Sequence, residues 1–175
     1  MQDLGIFFEG CRYGCLAVGL CCAVYQDIRY LKITNRLNLF LLLAGLLLAT
    51  TGGIDKVLDS VTGMVLPLAI GFVFYALRIF GAGDVKFLMA LGALMGRAWI
   101  MDCMIASILS GGVLALFVML YRGILWERLR YAWSYLKMLL LMKKVSAYQV
   151  LDNKQKQFFP FAIAIACGSV LASFM

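Results

Sequence analysis

Two aspartates are candidates for chemistry because of where they fall in the hydrophobic pattern. Asp27 ends the apolar run GCLAVGLCCAVYQ, and Asp84 precedes the run VKFLMALGALMG. Two carboxyl groups in one site of low dielectric constant do not both ionise easily, so one is expected to keep its proton. The ionised carboxylate can then take a proton from water while the protonated one donates to a carbonyl oxygen. The pair therefore predicts hydrolysis of an amide without an acyl-enzyme.

The other acidic residues have ordinary positions at the ends of apolar runs or in polar segments. We expect water to solvate all seven of them: Asp3, Glu9, Asp55, Asp59, Asp102, Glu127 and Asp152. An ionisable residue inside a membrane span costs about 2.5–3.5 kcal/mol at the centre, and such residues are generally paired or functional. A simpler alternative stays open for Asp27 and Asp84, in which each contacts water or a basic neighbour at a helix end.

The composition identifies the kind of protein that must position these two side chains. The chain has 175 residues, of which 64% are hydrophobic and 14% charged, and its mean hydropathy is +0.94. Ordinary soluble domains are roughly 45–50% apolar and about 25% charged. Too few polar residues are present to cover a water-facing surface, which excludes a soluble protein. The chain contains no histidine, which excludes Ser-His and Cys-His nucleophile pairs.

Stretches without charged residues predict an all-α, polytopic membrane bundle in a single domain over 1–175. A span needs about 20 apolar residues. Six spans are predicted, the first retained rather than cleaved as a signal peptide, near residues 5–27, 37–54, 58–78, 84–101, 102–121 and 157–175. Two spans separate Asp27 from Asp84, so both return to the same membrane level between the first and fourth helices. Gly92 and Gly96 form a GxxxG pattern that favours close helix packing near the site.

Basic residues predict the orientation of the bundle. Thirteen of the sixteen Lys and Arg fall on one side, and only Arg12, Lys56 and Arg97 fall on the other. The positive-inside rule then places both termini outside and the two aspartates at the cytoplasmic face. The net charge of +7 is explained by attraction to anionic lipid rather than by binding to nucleic acid.

The inner segment 122–156 has apolar residues at helical spacing among basic ones. This pattern predicts an amphipathic helix lying in the interface; a docking site for a substrate or partner is the alternative.

The residues around the two aspartates carry a recognisable pattern. Asp27 is followed by Ile33-Thr34-Asn35, in which Asn35 is positioned to cap the next span. Asp84 lies in Gly81-Ala82-Gly83-Asp84-Val85-Lys86, where the glycines permit a tight, non-helical approach to the helix and close contact with a substrate strand. The type IV prepilin peptidases carry an Asp, then Ile-Pro-Asn, then G-x-G-D-x-K two spans later, and the pattern in this chain resembles theirs. Phe159-Pro160-Phe161-Ala162 resembles their Pro-led final span.

The resemblance covers nearly the whole chain and implies a site and a substrate. Asp27 and Asp84 would be the catalytic pair of an aspartic endopeptidase. Gly81, Gly83, Lys86 and Asn35 would be supporting residues of the motif. Lys86 would stabilise an ionised Asp84 or meet the acidic residue just after the scissile bond, unless it is simply a positive-inside residue. The partners implied are a prepilin or pseudopilin with a hydrophobic N-terminal helix and the bilayer of a bacterial inner membrane; a homo-oligomer stays open.

Two departures from the family pattern are expected to matter. Thr34 stands where the family usually has proline, which predicts a less rigid turn after the first span. The methyltransferase portion of larger members, with its paired CxxC motifs, has no counterpart in the sequence. The chain therefore resembles the short, cleavage-only form found in tight-adherence pilus systems, and methylation of the mature pilin is not predicted.

Other functions require different features. A small proton- or ion-coupled transporter would use the two aspartates as a relay, and a noncatalytic assembly subunit would need neither. No cofactor is predicted. The six cysteines have neither CxxC spacing nor histidine partners, so a zinc site is not expected.

Overall fold

The structure is a computed structural model that describes residues 2–76, 81–121, 123, 126, 130 and 161–174. The chain divides into two compact units, one formed by 1–111 with 160–175 and the other by 112–159. The first unit contains both aspartates. Nearly all of the predicted interfacial helix over 122–156 lies outside the described residues.

The longer elements of the described residues are all helices, which confirms the all-α fold class for this part of the chain. They are α1 (Gln2–Tyr30), α2 (Asn35–Thr50), α3 (Ile54–Ala76), α4 (Ala82–Met95), α5 (Arg97–Tyr121) and α6 (Phe161–Ala172). Within the described ranges, two segments are able to cross a membrane by length and composition alone, Phe7–Tyr30 and Arg97–Tyr121. α2 and α6 are shorter apolar helices. The count of six spans stays a prediction.

Many large apolar side chains face outward. Phe40, Leu47 and Phe117 are each more than 60% exposed. Exposed apolar surface on this scale is not typical of a water-soluble monomer, and it is what helices packed in lipid present to the bilayer. The outward surface is therefore consistent with the membrane location expected from composition.

Helix α4 forms the centre of the first unit. Eight of its residues are buried, and Phe87, Ala90 and Leu91 have no solvent exposure at all. α4 packs most extensively against α3 and α2, and it also contacts α1. An apolar helix this short is fixed in place by the neighbouring helices that bury it. The position of Asp84 in the first turn of α4 therefore depends on this packing.

Glycines let the neighbouring helices approach α4 at backbone distance. A Cβ atom on Gly45 of α2 would lie 2.7 Å from the carbonyl carbon of Ala93. A Cβ atom on Gly92 would lie 2.7 Å from the carbonyl carbon of Gly63 in α3. These distances leave no room for a side chain. The packing predicted for Gly92 is confirmed, but it lies about 12 Å along α4 from Asp84 rather than near the site.

The break between α4 and α5 falls earlier than the sequence predicts. The sequence predicts the fourth span over 84–101, whereas α4 ends at Met95 and α5 begins at Arg97. Gly96 has a φ of 94°, which is accessible to glycine without steric cost. Asp59 Oδ1 accepts a hydrogen bond of 3.1 Å from the Arg97 N–H. Asp59 is thus half-buried at the start of α5 rather than simply solvated in a loop.

We expect Gly92→Ala to destabilise the protein, because the added methyl group must push α4 away from α3. Overpacking of this kind costs about 1–3 kcal/mol. Thermal unfolding in detergent micelles measures the change. Gly14→Ala is the matched control, since a Cβ at Gly14 meets nothing within 4 Å and alanine favours a helix by up to about 1 kcal/mol over glycine. Equal unfolding temperatures for the two variants would contradict the packing described.

Candidate active site

Asp27 lies in the last turn of α1, with its side chain inside the bundle. Only 7% of the residue is exposed. Its Oδ2 atom accepts a hydrogen bond of 2.9 Å from the backbone N–H of Ala162, the second residue of α6. The first N–H groups of a helix have no partner within the helix, and the positive end of the helix dipole favours a negative charge. The start of α6 therefore stabilises negative charge on Asp27.

Asp84 approaches the same place from α4. It is half-buried, and its Oδ2 accepts a hydrogen bond of 3.2 Å from the Gly81 N–H. The charge of Asp27 acts on the Asp84 carboxyl group, so the two carboxyl groups lie within electrostatic reach. The structure thus brings together the two aspartates that the sequence separates by two helices. Two carboxyl groups within electrostatic reach of each other do not both ionise easily.

The two motif glycines have different local roles. Gly81 has an extended backbone and precedes α4, and a Cβ at this position would lie 3.1 Å from Asp84 Oδ2. A side chain at Gly81 would therefore press on the carboxyl group. Gly83 lies within the first turn of α4, so the non-helical approach predicted for both glycines applies to Gly81 alone. A Cβ at Gly83 would have the Ile33 nitrogen as its neighbour, at 4.0 Å, and nothing in the structure explains the glycine there.

Asn35 and Lys86 pair with each other. Asn35 is the first residue of α2, and Thr34 occupies the N-cap position without a side-chain capping bond. The prediction that Asn35 caps α2 is therefore wrong. Lys86 Nζ donates a hydrogen bond of 3.3 Å to Asn35 Oδ1, rather than bonding Asp84. Both residues are exposed, so this pair lies at the open end of the helices.

Thr34, which stands where the resembled family has proline, keeps a backbone that proline could adopt. Its φ of −72° is the value that proline adopts. Its N–H, which proline lacks, donates a hydrogen bond of 2.9 Å to Gln26 Oε1. The side chain of Gln26 thus ties the start of α2 to the turn of α1 that carries Asp27. The less rigid turn expected from Thr34 is therefore compensated by a bond that the sequence did not reveal.

The described residues contain no group of three or more Cys, Asp or Glu side chains that could hold a metal ion. The six cysteines have free thiols.

Comparison with known proteins agrees with this geometry. A model of the type IV leader peptidase family matches residues 15–116, a range that contains both Asp27 and Asp84. The chain belongs to the type IV leader peptidase family. The preflagellin peptidase of Methanococcus voltae is 36% identical to it over 83 residues, which are 45% of this chain and 35% of that protein. The chain thus matches about a third of the length of this curated leader peptidase. No solved structure matches it significantly.

The part of the site that sequence reasoning missed is the start of α6. This helix begins far along the chain from Asp27, and its contribution is a backbone N–H that carries no side-chain signal. The available sign was Pro160 directly before an apolar run, because proline is common at the start of helices. In this leader peptidase family member, the final helix therefore takes part in the site as well as in the bundle.

A double-mutant cycle tests the Gln26–Thr34 bond. We expect Gln26→Leu to lower the free energy of unfolding by about 0.5–1 kcal/mol, because the Thr34 N–H loses its acceptor. Thr34→Pro should be tolerated, since it keeps φ and removes the donor. Gln26→Leu should then have no further effect in the Thr34→Pro background. Additive effects of the two changes would show that the bond does not stabilise the turn.

Proposed function

We propose that the protein is an integral-membrane aspartic endopeptidase that removes the basic leader of type IV prepilin-like substrates at the cytoplasmic face. The observation that carries the proposal is that Asp27, in the last turn of α1, and Asp84, in the first turn of α4, lie within electrostatic reach of each other. Membership of the leader peptidase family supports it, as does the similarity to a preflagellin peptidase.

The geometry suggests a division of roles within the pair. Asp27 is the general base, because the N–H of Ala162 and the dipole of α6 stabilise its negative charge. It removes a proton from water as the water oxygen attacks the scissile carbonyl carbon. Asp84 is the acid and gives its proton to the carbonyl oxygen. When the tetrahedral intermediate collapses, the C–N bond breaks, the leaving amine takes the proton held by Asp27, and the hydroxyl formed from the carbonyl oxygen returns its proton to Asp84.

The substrate reaches this pair from the exposed side of Asp84. A pilin-like substrate would place its hydrophobic helix beside the bundle and its basic leader in the cytoplasm, as the positive-inside rule requires. Lys86 is exposed and shares one hydrogen bond with Asn35, so its charge remains available. Lys86 would therefore bind the acidic residue that follows the scissile bond in the substrate.

Replacing either member of the pair should abolish cleavage. For Asp27→Asn and for Asp84→Asn we expect the rate to fall by at least about 10²–10⁴-fold, since each removes a proton-transfer group. The amide of Asp27→Asn still offers an oxygen to the Ala162 N–H, so the fold should be retained. The measurement is conversion of a co-expressed prepilin to its mature form on gels.

Asp55→Asn is the matched control, because Asp55 is an exposed aspartate in the first turn of α3. It should process the substrate at the wild-type rate. Normal processing by either Asp27→Asn or Asp84→Asn would contradict the mechanism. If both variants lose proton-driven transport while the wild type cleaves no prepilin, the transporter hypothesis replaces it.

The proposed orientation is tested by labelling single cysteines. In a background without the six native cysteines, we expect Lys32→Cys and Lys56→Cys to react from opposite sides of sealed membranes. Both lysines are exposed and lie in the segments before α2 and at the start of α3. An impermeant maleimide added outside should label only Lys56→Cys. Labelling of both positions from the same side would overturn the proposed topology.

A further inference from the structure

Asn38 is a buried polar residue that the fold does not use. Only 5% of it is exposed, and neither Nδ2 nor Oδ1 has a hydrogen-bond partner among the described residues. Leaving a buried amide unpaired is unfavourable, and unpaired buried polar groups are rare in native proteins. The residue therefore needs an explanation other than helix packing.

The position of Asn38 follows from the contacts of α2. The buried face of α2 consists of Asn38, Leu41, Gly45 and Ala49. Leu41 packs against the position of Gly19 in α1, and Gly45 packs against the backbone of α4. This face therefore lies between the two helices that carry Asp27 and Asp84. Asn38 is one turn, about 4.5 Å, beyond Leu41 toward the end of α2 where the aspartates meet.

Helix direction brings Asn38 toward Asp27. α1 and α2 are antiparallel, since Gly19 faces Leu41 and Gln26 bonds Thr34. On α1, Ala23 is fully buried one turn before Asp27, and the same register places it opposite Asn38. Side chains lean toward the N-terminus of their own helix. In an antiparallel pair, Asp27 leans inward and Asn38 leans outward, so their polar ends approach across the small side chain of Ala23.

We propose that the Asn38 amide binds a water molecule that bridges it to the Asp27 carboxylate and positions water for the hydrolysis. An amide offers both a donor and an acceptor, and buried waters typically make about three hydrogen bonds to otherwise unsatisfied groups. A substrate peptide would have to separate α1 from α2 to reach an amide this buried, whereas a single water is the smallest group that can pair with it. Asn38 is then a positioning residue that acts through water on Asp27. This inference rests on the proposed function.

Asn38→Leu separates this role from a structural one. Leucine has a similar size and removes the unpaired polar atoms, so the unfolding temperature in detergent should stay the same or rise. We expect kcat for prepilin cleavage to fall about tenfold or more while KM changes less than twofold. Asn38→Ser, which can still bind water, should recover part of kcat. Thr50→Leu makes a comparable polar-to-apolar change at the exposed far end of α2 and should be neutral.

The outcomes distinguish this inference from the proposed function. Wild-type kcat in Asn38→Leu, or equal loss of activity and stability in the Leu and Ser variants, would overturn the role of Asn38. A high-resolution crystal structure gives a readout that does not depend on activity, namely a water within hydrogen-bond distance of both Asn38 and Asp27. If that water is present but the wild type cleaves no prepilin, the proposed function fails and the water site stands. If the wild type cleaves and no water lies there, the inference fails alone.

Discussion

The close approach of backbones around α4 is the constraint on which the rest of the structure depends. In lipid, apolar side chains gain little by leaving the solvent, so helices associate through van der Waals contact and hydrogen bonds between them. α4 meets both requirements, with glycines of α2 and α3 against its backbone and a bond from the Ser60 hydroxyl to the Ala93 carbonyl. Because α4 is held along its length, the level of Asp84 is set by contacts far from the site.

The same use of small residues joins α5 to α6. A Cβ at Gly168 would lie 2.8 Å from the Cys103 carbonyl oxygen, and the buried hydroxyl of Ser169 lies 3.4 Å from the Cys103 Sγ. Ser110 donates a hydrogen bond of 3.1 Å to the Ala164 carbonyl. These contacts hold α6 in place. They matter for the site because the first turn of α6 provides the N–H bound by Asp27.

The site therefore combines the ends of three helices. α1 carries Asp27 near its C-terminus, where the Ala162 N–H of α6 donates to it, and the N–H of Gly81, just before α4, donates to Asp84. Helix N-termini stabilise anions, which offsets part of the repulsion between Asp27 and Asp84. Lys86 lies at the surface, where it donates its hydrogen bond to Asn35 rather than to Asp84. In the proposed mechanism, that separation leaves acid–base chemistry to the buried pair and substrate recognition to the exposed residues.

The sequence by itself determined the all-helical class, because charge-free runs of this length leave few other ways to satisfy the backbone. It also singled out Asp27 and Asp84, because acids are scarce in such a composition and their spacing returns them to one level. Tertiary structure alone decided the contacts that cross from one helix to another. Local sequence gives no sign of four of these features. They are the bond from the Ala162 N–H to Asp27, the bond from Thr34 to Gln26 Oε1, the bond from Arg97 to Asp59, and the buried, unpaired amide of Asn38. Each depends on which helices pack together, and that is set by where glycine permits close approach.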